Sequence, residues 1–219
     1  MQKSLPFMPL NLAFQLENLL PAITPKQEQI LQGAIRVFLK EGYARTSMDR
    51  VSAAAGVSKQ TIYSHFQDKQ GLFKALIERL TLACFQSIFC TEKLHSEPAI
   101  LLRQIAEIYL TKVADNPDYL ALLRLIITES QNFPELAKLY TQTVVQRGRQ
   151  ILSQYFASHP ELAITDPEAM AHIFFGSLVS YVIVQEILYG KELTSLSRDR
   201  LLDSLINVVM SQGIIPIRK

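Results

Sequence analysis

The chain has 219 residues, 48% of them hydrophobic, which excludes a disordered chain and allows one medium domain or a small domain joined to a larger one, and its 8 Gly and no Trp lean toward helix. Net charge is only +2, so total charge points to no nucleic-acid partner. Its distribution says more: residues 26–80 hold nine Lys/Arg against five Asp/Glu, the remainder thirteen against fifteen, as a phosphate-facing module beside a neutral one would require.

Residues 1–25 read as an apolar, Pro-containing N-terminal arm with weak helical spacing across Leu12, Leu16, Leu19 and Leu20. Leu5–Leu16 follows Lys3 like the start of a secretory signal, but Pro6 and Pro9 interrupt it and no clear small-residue cleavage site follows. From Lys26 to Lys40, the residues Ile30, Ala34, Ile35, Val37, Phe38 and Leu39 form a helical stripe that Gly42 should end. Thr46-Ser47-Met48-Asp49 matches a capping box for a short second helix, which Gly56 closes after Ala55. Ser58 then caps a third helix, Lys59–Phe66, and Asp68 a fourth from about Lys69 to Cys90. The Thr91–Pro98 stretch reads as a loop.

Five more helical patterns are predicted at about 98–115, 117–131, 134–158, 167–189 and 198–211. Asn116-Pro117, Phe133-Pro134, His159-Pro160, Asp166-Pro167 and Gly190 mark their breaks. With no strand-like alternation and no repeat, the expected class is all-α with about nine helices. The expected division is an arm (1–25), a three-helix helix-turn-helix unit (26–72) and a larger helical domain (73–219).

Cys84 and Cys90, six residues apart on one helix, would be separated by about 9 Å of rise, beyond the roughly 7 Å that a disulfide spans. They read as free thiols of a reducing cytosol, with oxidation sensing as the alternative. Ala169–Gln185 lacks Asp, Glu, Lys and Arg, but His172, Ser177, Ser180 and Gln185 favour a buried helix or a dimer face over a membrane span. A cytoplasmic protein is expected.

The informative stretch runs from Thr46 to Phe73. Val51, Val57, Ile62 and Phe66 can close a small core, Ala54 and Ala55 permit a close helix crossing, and Gly56 permits the turn. The third helix then projects Lys59, Gln60, Thr61, Ser64 and His65, as a helix that reads base edges must.

This segment resembles the DNA-binding domain of TetR/AcrR-type transcriptional regulators. The resemblance rests on Gly42, Thr46, Ala54-Ala55-Gly56-Val57-Ser58, Thr61, Tyr63, His65-Phe66, Lys69 and Leu72, taken together and in order. Ser52 departs from the family's usual Ala, and is small enough to fit. The resemblance implies phosphate contacts from Thr46, from the Tyr63 hydroxyl with His65 nearby, and from Lys69. Ser47 and Ser58 stand at the helix starts, and Lys59, Gln60 and Thr61 take the base-facing or backbone-facing slots. Lys69 in a first helical turn opposes the helix dipole, which makes an anionic partner attractive.

Downstream, Arg124-Leu-Ile-Ile-Thr-Glu129-Ser-Gln-Asn-Phe133-Pro134-Glu-Leu136 resembles the C-terminal domain of the AefR-like subgroup. That implies effector binding within the bundle and dimerisation through the last two helices. The residues also favour a homodimer independently, because Ile173, Gly176, Ser177, Ser180, Val184 and Leu188 recur near helical spacing and Leu201, Leu205, Val208 and Val209 follow on the final helix. Candidate pocket residues are Phe85, Phe89, Tyr109, Ile126, Tyr140, Phe174 and Tyr181, for an unidentified apolar or amphipathic small molecule.

The expected partners are double-stranded DNA at a pseudo-palindromic operator, the effector and a second copy. The expected action is repression, with activation as the alternative. No catalytic elbow, P-loop, dinucleotide glycine pattern or metalloprotease motif is present, and His65, His95, His159 and His172 are scattered, so no enzyme, metal or cofactor is expected. A helical module that docks a protein instead of DNA is the second alternative.

Overall fold

Thr24 opens the first helix with a reciprocal cap. Its hydroxyl accepts from Gln27 N–H at 3.2 Å while Gln27 Oε1 accepts from Thr24 N–H at 2.9 Å, and Pro25 follows at a position that needs no donor. The computed structural model describes residues 23–89, 97–194 and 196–211, without the side chains of 82–89. The arm up to residue 22, the loop 91–96, Cys90 and the side chains of Cys84, Phe85 and Phe89 therefore lie outside the described residues.

Helix α1 (Pro25–Arg45) is broken at Gly42, whose φ of 79° and ψ of 166° are non-helical. Helix α2 (Met48–Ala55) is capped by Ser47, which accepts from Arg50 N–H at 3.3 Å. This corrects the expected capping box. Thr46 is buried and its hydroxyl donates to Gly42 O at 2.7 Å, while the Asp49 carboxylate reaches Lys59. Gly56 takes the left-handed turn, and Ser58 caps α3 (Lys59–Phe66) by accepting from Thr61 N–H at 3.0 Å. Asp68 accepts from Gly71 N–H at 2.7 Å at the start of α4 (Lys69–Phe89), as expected.

The remaining α-helices are α5 (Pro98–Val113), α6 (Pro117–Glu129), α7 (Pro134–Tyr140), α8 (Arg147–Ala157), α9 (Pro167–Tyr181) and α10 (Arg198–Met210). A π turn, Thr141–Gln146, joins α7 to α8 in one rod, and a second, Val182–Ile187, extends α9. Both stand inside segments that the sequence reads as plain helices. Among the described residues this makes nine rods and no strand.

Two apolar cores form. The first gathers Ile30, Phe38, Val51, Ile62, Phe66, Phe73 and Ile77 from α1–α4, and also takes Leu122, Ile126, Leu136 and Val144 from α6, α7 and the first π turn. It thus reaches past residue 72, because α6 packs on α1 and α7 packs on α4 and α6. At the front α1 and α2 cross closely: a Cβ on Gly33 would stand 2.6 Å from that of Ala55. The larger core joins α5, α6, α8, α9 and α10 through Leu102, Leu110, Tyr119, Phe156, Phe174 and Leu202. Each fully buried side chain of this size contributes about 2 kcal/mol. Ion pairs tie the elements at their edges: Arg79 of α4 grips Glu28 of α1, and Arg198 of α10 grips Asp115 with both terminal nitrogens, at 2.8 and 2.5 Å.

Candidate nucleic-acid interface

Helix α3 has two opposed faces. Ile62 and Phe66 are buried against Val51 and α4, whereas Lys59, Gln60, Tyr63, Ser64 and His65 are exposed. Tyr63 is 43% exposed despite its ring, which places a large amphipathic side chain in solvent beside the polar face. Thr61 is half-buried, and its hydroxyl lies 2.7 Å from that of Ser58 at the helix start. Lys59 donates to Asp49 at 2.9 Å across the α2–α3 turn, and this carboxylate holds the Lys59 pKa above the ordinary lysine range. Ser47 is exposed at the start of α2. Arg50 of the same helix, 60% exposed and paired with Glu41 at 2.6 Å, adds a cation that the motif reading passed over. The basic balance of residues 26–80 was its only sequence signal.

Two expected phosphate contacts are placed otherwise. Thr46 is 3% exposed with its hydroxyl engaged, so it shapes the turn instead of facing outward. Lys69 folds under α1, where its ammonium donates to the carbonyls of Tyr43 (2.9 Å), Ala44 (3.3 Å) and Thr46 (3.2 Å) and sits 4.5 Å from the Tyr43 ring centre. Burial holds its pKa below the ordinary lysine range, with the Glu129 charge pulling the other way. Its ammonium is thus met by neutral backbone carbonyl dipoles at a helix end, in place of the anion inferred from its position. Burial also pushes the Tyr43 phenol up to about 12, helped by Glu135 and Asp68.

Elsewhere, Ile173, Gly176, Ser177, Ser180, Tyr181, Val184, Leu196 and Leu201 line an open groove of about 590 Å³ along α9 and α10. Ile173 is 49% exposed and Leu188 64%, with Val184, Tyr189, Leu193 and Val208 also standing in solvent. The space beside Gly176 is open. Leu205 is the correction: it is buried in the larger core and faces away from this stripe, as does Val209. By length and composition Pro167–Ile187 could cross a membrane; 39% of its most apolar stretch is buried against the body, and Ile173 and Val184 of its remainder belong to the stripe.

The pocket candidates are divided. Tyr109 and Phe174 are buried in the larger core, and Tyr140 and Tyr181 are half-buried at its edge. Ile126 belongs to the first core, which corrects its grouping with them.

Comparison with known proteins agrees with this layout. Residues 30–76 match the family described as bacterial regulatory proteins, tetR family, and residues 101–212 match the AefR-like transcriptional repressor, C-terminal domain. The chain is 25% identical over 199 residues to the uncharacterized HTH-type transcriptional regulator YerO of Bacillus subtilis (strain 168), covering 88% of this chain and 68% of that protein. Among solved structures it is similar in fold to the flavonoid-responsive regulator FrrA (24% identity, TM-score 0.67, covering 88% of this chain and 98% of that one). It is likewise similar to the transcriptional regulator FadR from Bacillus subtilis in complex with stearoyl-CoA (16% identity, TM-score 0.68, covering 84% and 98%). A short polar-faced helix set on a capped turn, backed by a helical body and matched by family models over both regions, places this chain in the TetR family of helix-turn-helix transcriptional regulators, with an AefR-like C-terminal domain.

Proposed function

We propose that the protein is a cytoplasmic repressor that binds a pseudo-palindromic operator as a homodimer and leaves it when an apolar or amphipathic small molecule enters the larger domain. The observation that carries the DNA part is α3, whose apolar side is buried while Lys59, Gln60, Tyr63 and His65 face solvent together. In this reading residues 26–72 form the reading unit and 73–219 serve effector binding and dimerisation. Ser47, Ser58 and Tyr63 meet phosphates through their hydroxyls, with His65 beside them, and Lys59, Gln60 and Thr61 approach base edges or backbone. The exposed stripe on α9 and α10 supports the dimer, since apolar area of this kind on a helix pair is what a four-helix interface buries. Two-fold symmetry would set two copies of α3 in successive major grooves, about 34–36 Å apart.

The effector class is supported by the apolar and aromatic make-up of the larger core and by two structural neighbours, one described as flavonoid-responsive and one as bound to stearoyl-CoA. Release would follow from a shift of α4, which runs from the reading unit into the body.

The test is titration of the purified protein onto its own promoter region over a range of salt concentrations, beside Lys59→Ala and Tyr63→Phe. Selective binding is expected to weaken steeply with salt, with the logarithmic slope reduced by about one in Lys59→Ala. Tyr63→Phe is expected to weaken binding about tenfold at an unchanged slope, since it removes a hydroxyl and no charge. Binding no tighter than to random DNA, there and to fragments selected from the whole genome, would defeat the reading.

A further inference from the structure

The segment Arg124–Leu136, which carries the resemblance to the AefR-like domain, sits on the seam between the two cores. Arg124 of α6 donates to Glu186 O at 2.7 Å, in the π turn that ends the α9 rod, and its guanidinium lies 5.9 Å from the Tyr189 ring centre. Five residues on, Glu129 Oε1 accepts from Tyr43 N–H at 3.0 Å and from Ala44 N–H at 3.5 Å. Phe133 meets the Tyr43 ring edge-on, with centroids 5.0 Å apart, and Leu136 is fully buried in the first core.

The 43–46 segment is therefore held from both sides. Glu129 places an anion on its N–H groups, and Lys69 places a cation on its carbonyls. Gly42 makes the approach possible: its φ is +79°, and a Cβ there would stand 3.1 Å from Glu129 Oε1. The held segment leads directly into Ser47, the cap of α2, so its position sets where α2 starts and where α3 is presented.

We propose that Glu129 is a positioning residue for DNA binding, fixing the 43–46 segment and coupling it through the last turn of α6 to the end of the α9 rod held by Arg124. This rests on the DNA-binding and dimer readings above. Five residues of α-helix separate the two grips by about 7.5 Å along the axis and, after about 1.4 turns, by about 140° around it, so they reach different neighbours from one rigid stretch of helix. A displacement of the π turn carries Arg124, moves α6 as a body, and shifts the acceptor on which Tyr43 and Ala44 depend. The coupling joins elements far apart in the chain: Glu129 and Tyr43 are 86 residues apart.

The experiment compares the full-length wild type with Glu129→Ala, Glu129→Gln, Arg124→Ala and the Arg124→Ala/Glu129→Ala pair. The probes are the tightest duplex that the wild type selects from a randomised library and an unrelated duplex of equal length, with thermal melts in parallel. Glu129→Ala is expected to lose about tenfold in affinity for the selected duplex, as for a hydrogen bond to a charged group, with no change on the unrelated one. Glu129→Gln, which keeps an acceptor at the same reach, should restore most of the loss. The pair should be no weaker than Glu129→Ala alone. Wild-type binding by Glu129→Ala, an equal loss in Glu129→Gln, or a loss on both duplexes that follows a lowered melting point would overturn the positioning role. Full additivity of the pair would sever the link to Arg124. Should the alanine variant not fold, Glu129→Asp, one methylene short of both N–H groups, gives the same readout. Failure of the wild type to select any duplex would instead sink the DNA-binding reading itself.

Discussion

Lys59 and Asp49 illustrate how a residue proposed to meet DNA is paired on its own surface. The two exposed side chains meet at 2.9 Å, so the Lys59 ammonium must leave a carboxylate before it can reach a base or phosphate. Asp49 also places a negative charge on the surface that would face phosphates. Asp49→Asn is therefore expected to raise affinity for operator DNA about two- to fivefold, a range that fits the modest strength of exposed pairs. Fluorescence anisotropy at low and high salt would measure it, and a loss of affinity would show that Asp49 orients Lys59 usefully. At this scale residue types were legible and side-chain directions were only partly so. Lys59, Gln60, Tyr63 and His65 face outward as their helical positions require. Thr46 and Lys69 do not, because the broken end of α1 offers them carbonyl acceptors that no local pattern reveals.

Helix boundaries follow local chemistry closely. Asn116 accepts from Asp118 and Tyr119 N–H groups, Asp166 from Ala169, and a proline follows each at the first helical position. The Thr24-Pro25-Lys26-Gln27 cap is equally local, and it starts the helix at Pro25, one residue before the Lys26 that periodicity predicts. The π turns at 141–146 and 182–187 carry no composition signal, since one extra residue per turn reflects what the rod packs against. Between elements, the pair of Asp115 with Arg198 fastens α10 to the turn that follows α5. Hydrogen bonding to Arg198 holds the Asp115 pKa below its ordinary value, against a smaller opposing effect of burial. A depressed carboxylate stabilises the fold above its unfolded pKa, near 3.8, and that contribution disappears as pH falls through the lower folded value. Both partners are partly exposed, so Asp115→Asn is expected to cost at most about 1 kcal/mol at pH 7. Denaturant melts from pH 7 downward should show the difference shrinking as pH falls below about 3.8; a gap independent of pH would assign it to packing.

At the scale of the whole molecule, the polar face of α3 and the apolar stripe of α9 and α10 belong to different elements, and α6 contributes side chains to both cores. If the stripe is the dimer face, Ile173→Glu places a charge where two copies would meet and should shift sedimentation to a monomer. Operator affinity should fall by more than tenfold with it, because the two half-sites are no longer read together. A dimer that survives this change would move the interface elsewhere. The all-helical class, the nine rods, the helix-turn-helix and the apolar repeat on α9 were already legible in the chain, because periodicity, caps and turn residues act within a few positions of one another. Only packing in three dimensions placed Leu205 inside, gave Ile126 to the first core, turned Lys69 toward carbonyls and brought Glu129 to Tyr43. Contacts between residues tens of positions apart depend on how the rods cross, and local periodicity carries no record of that.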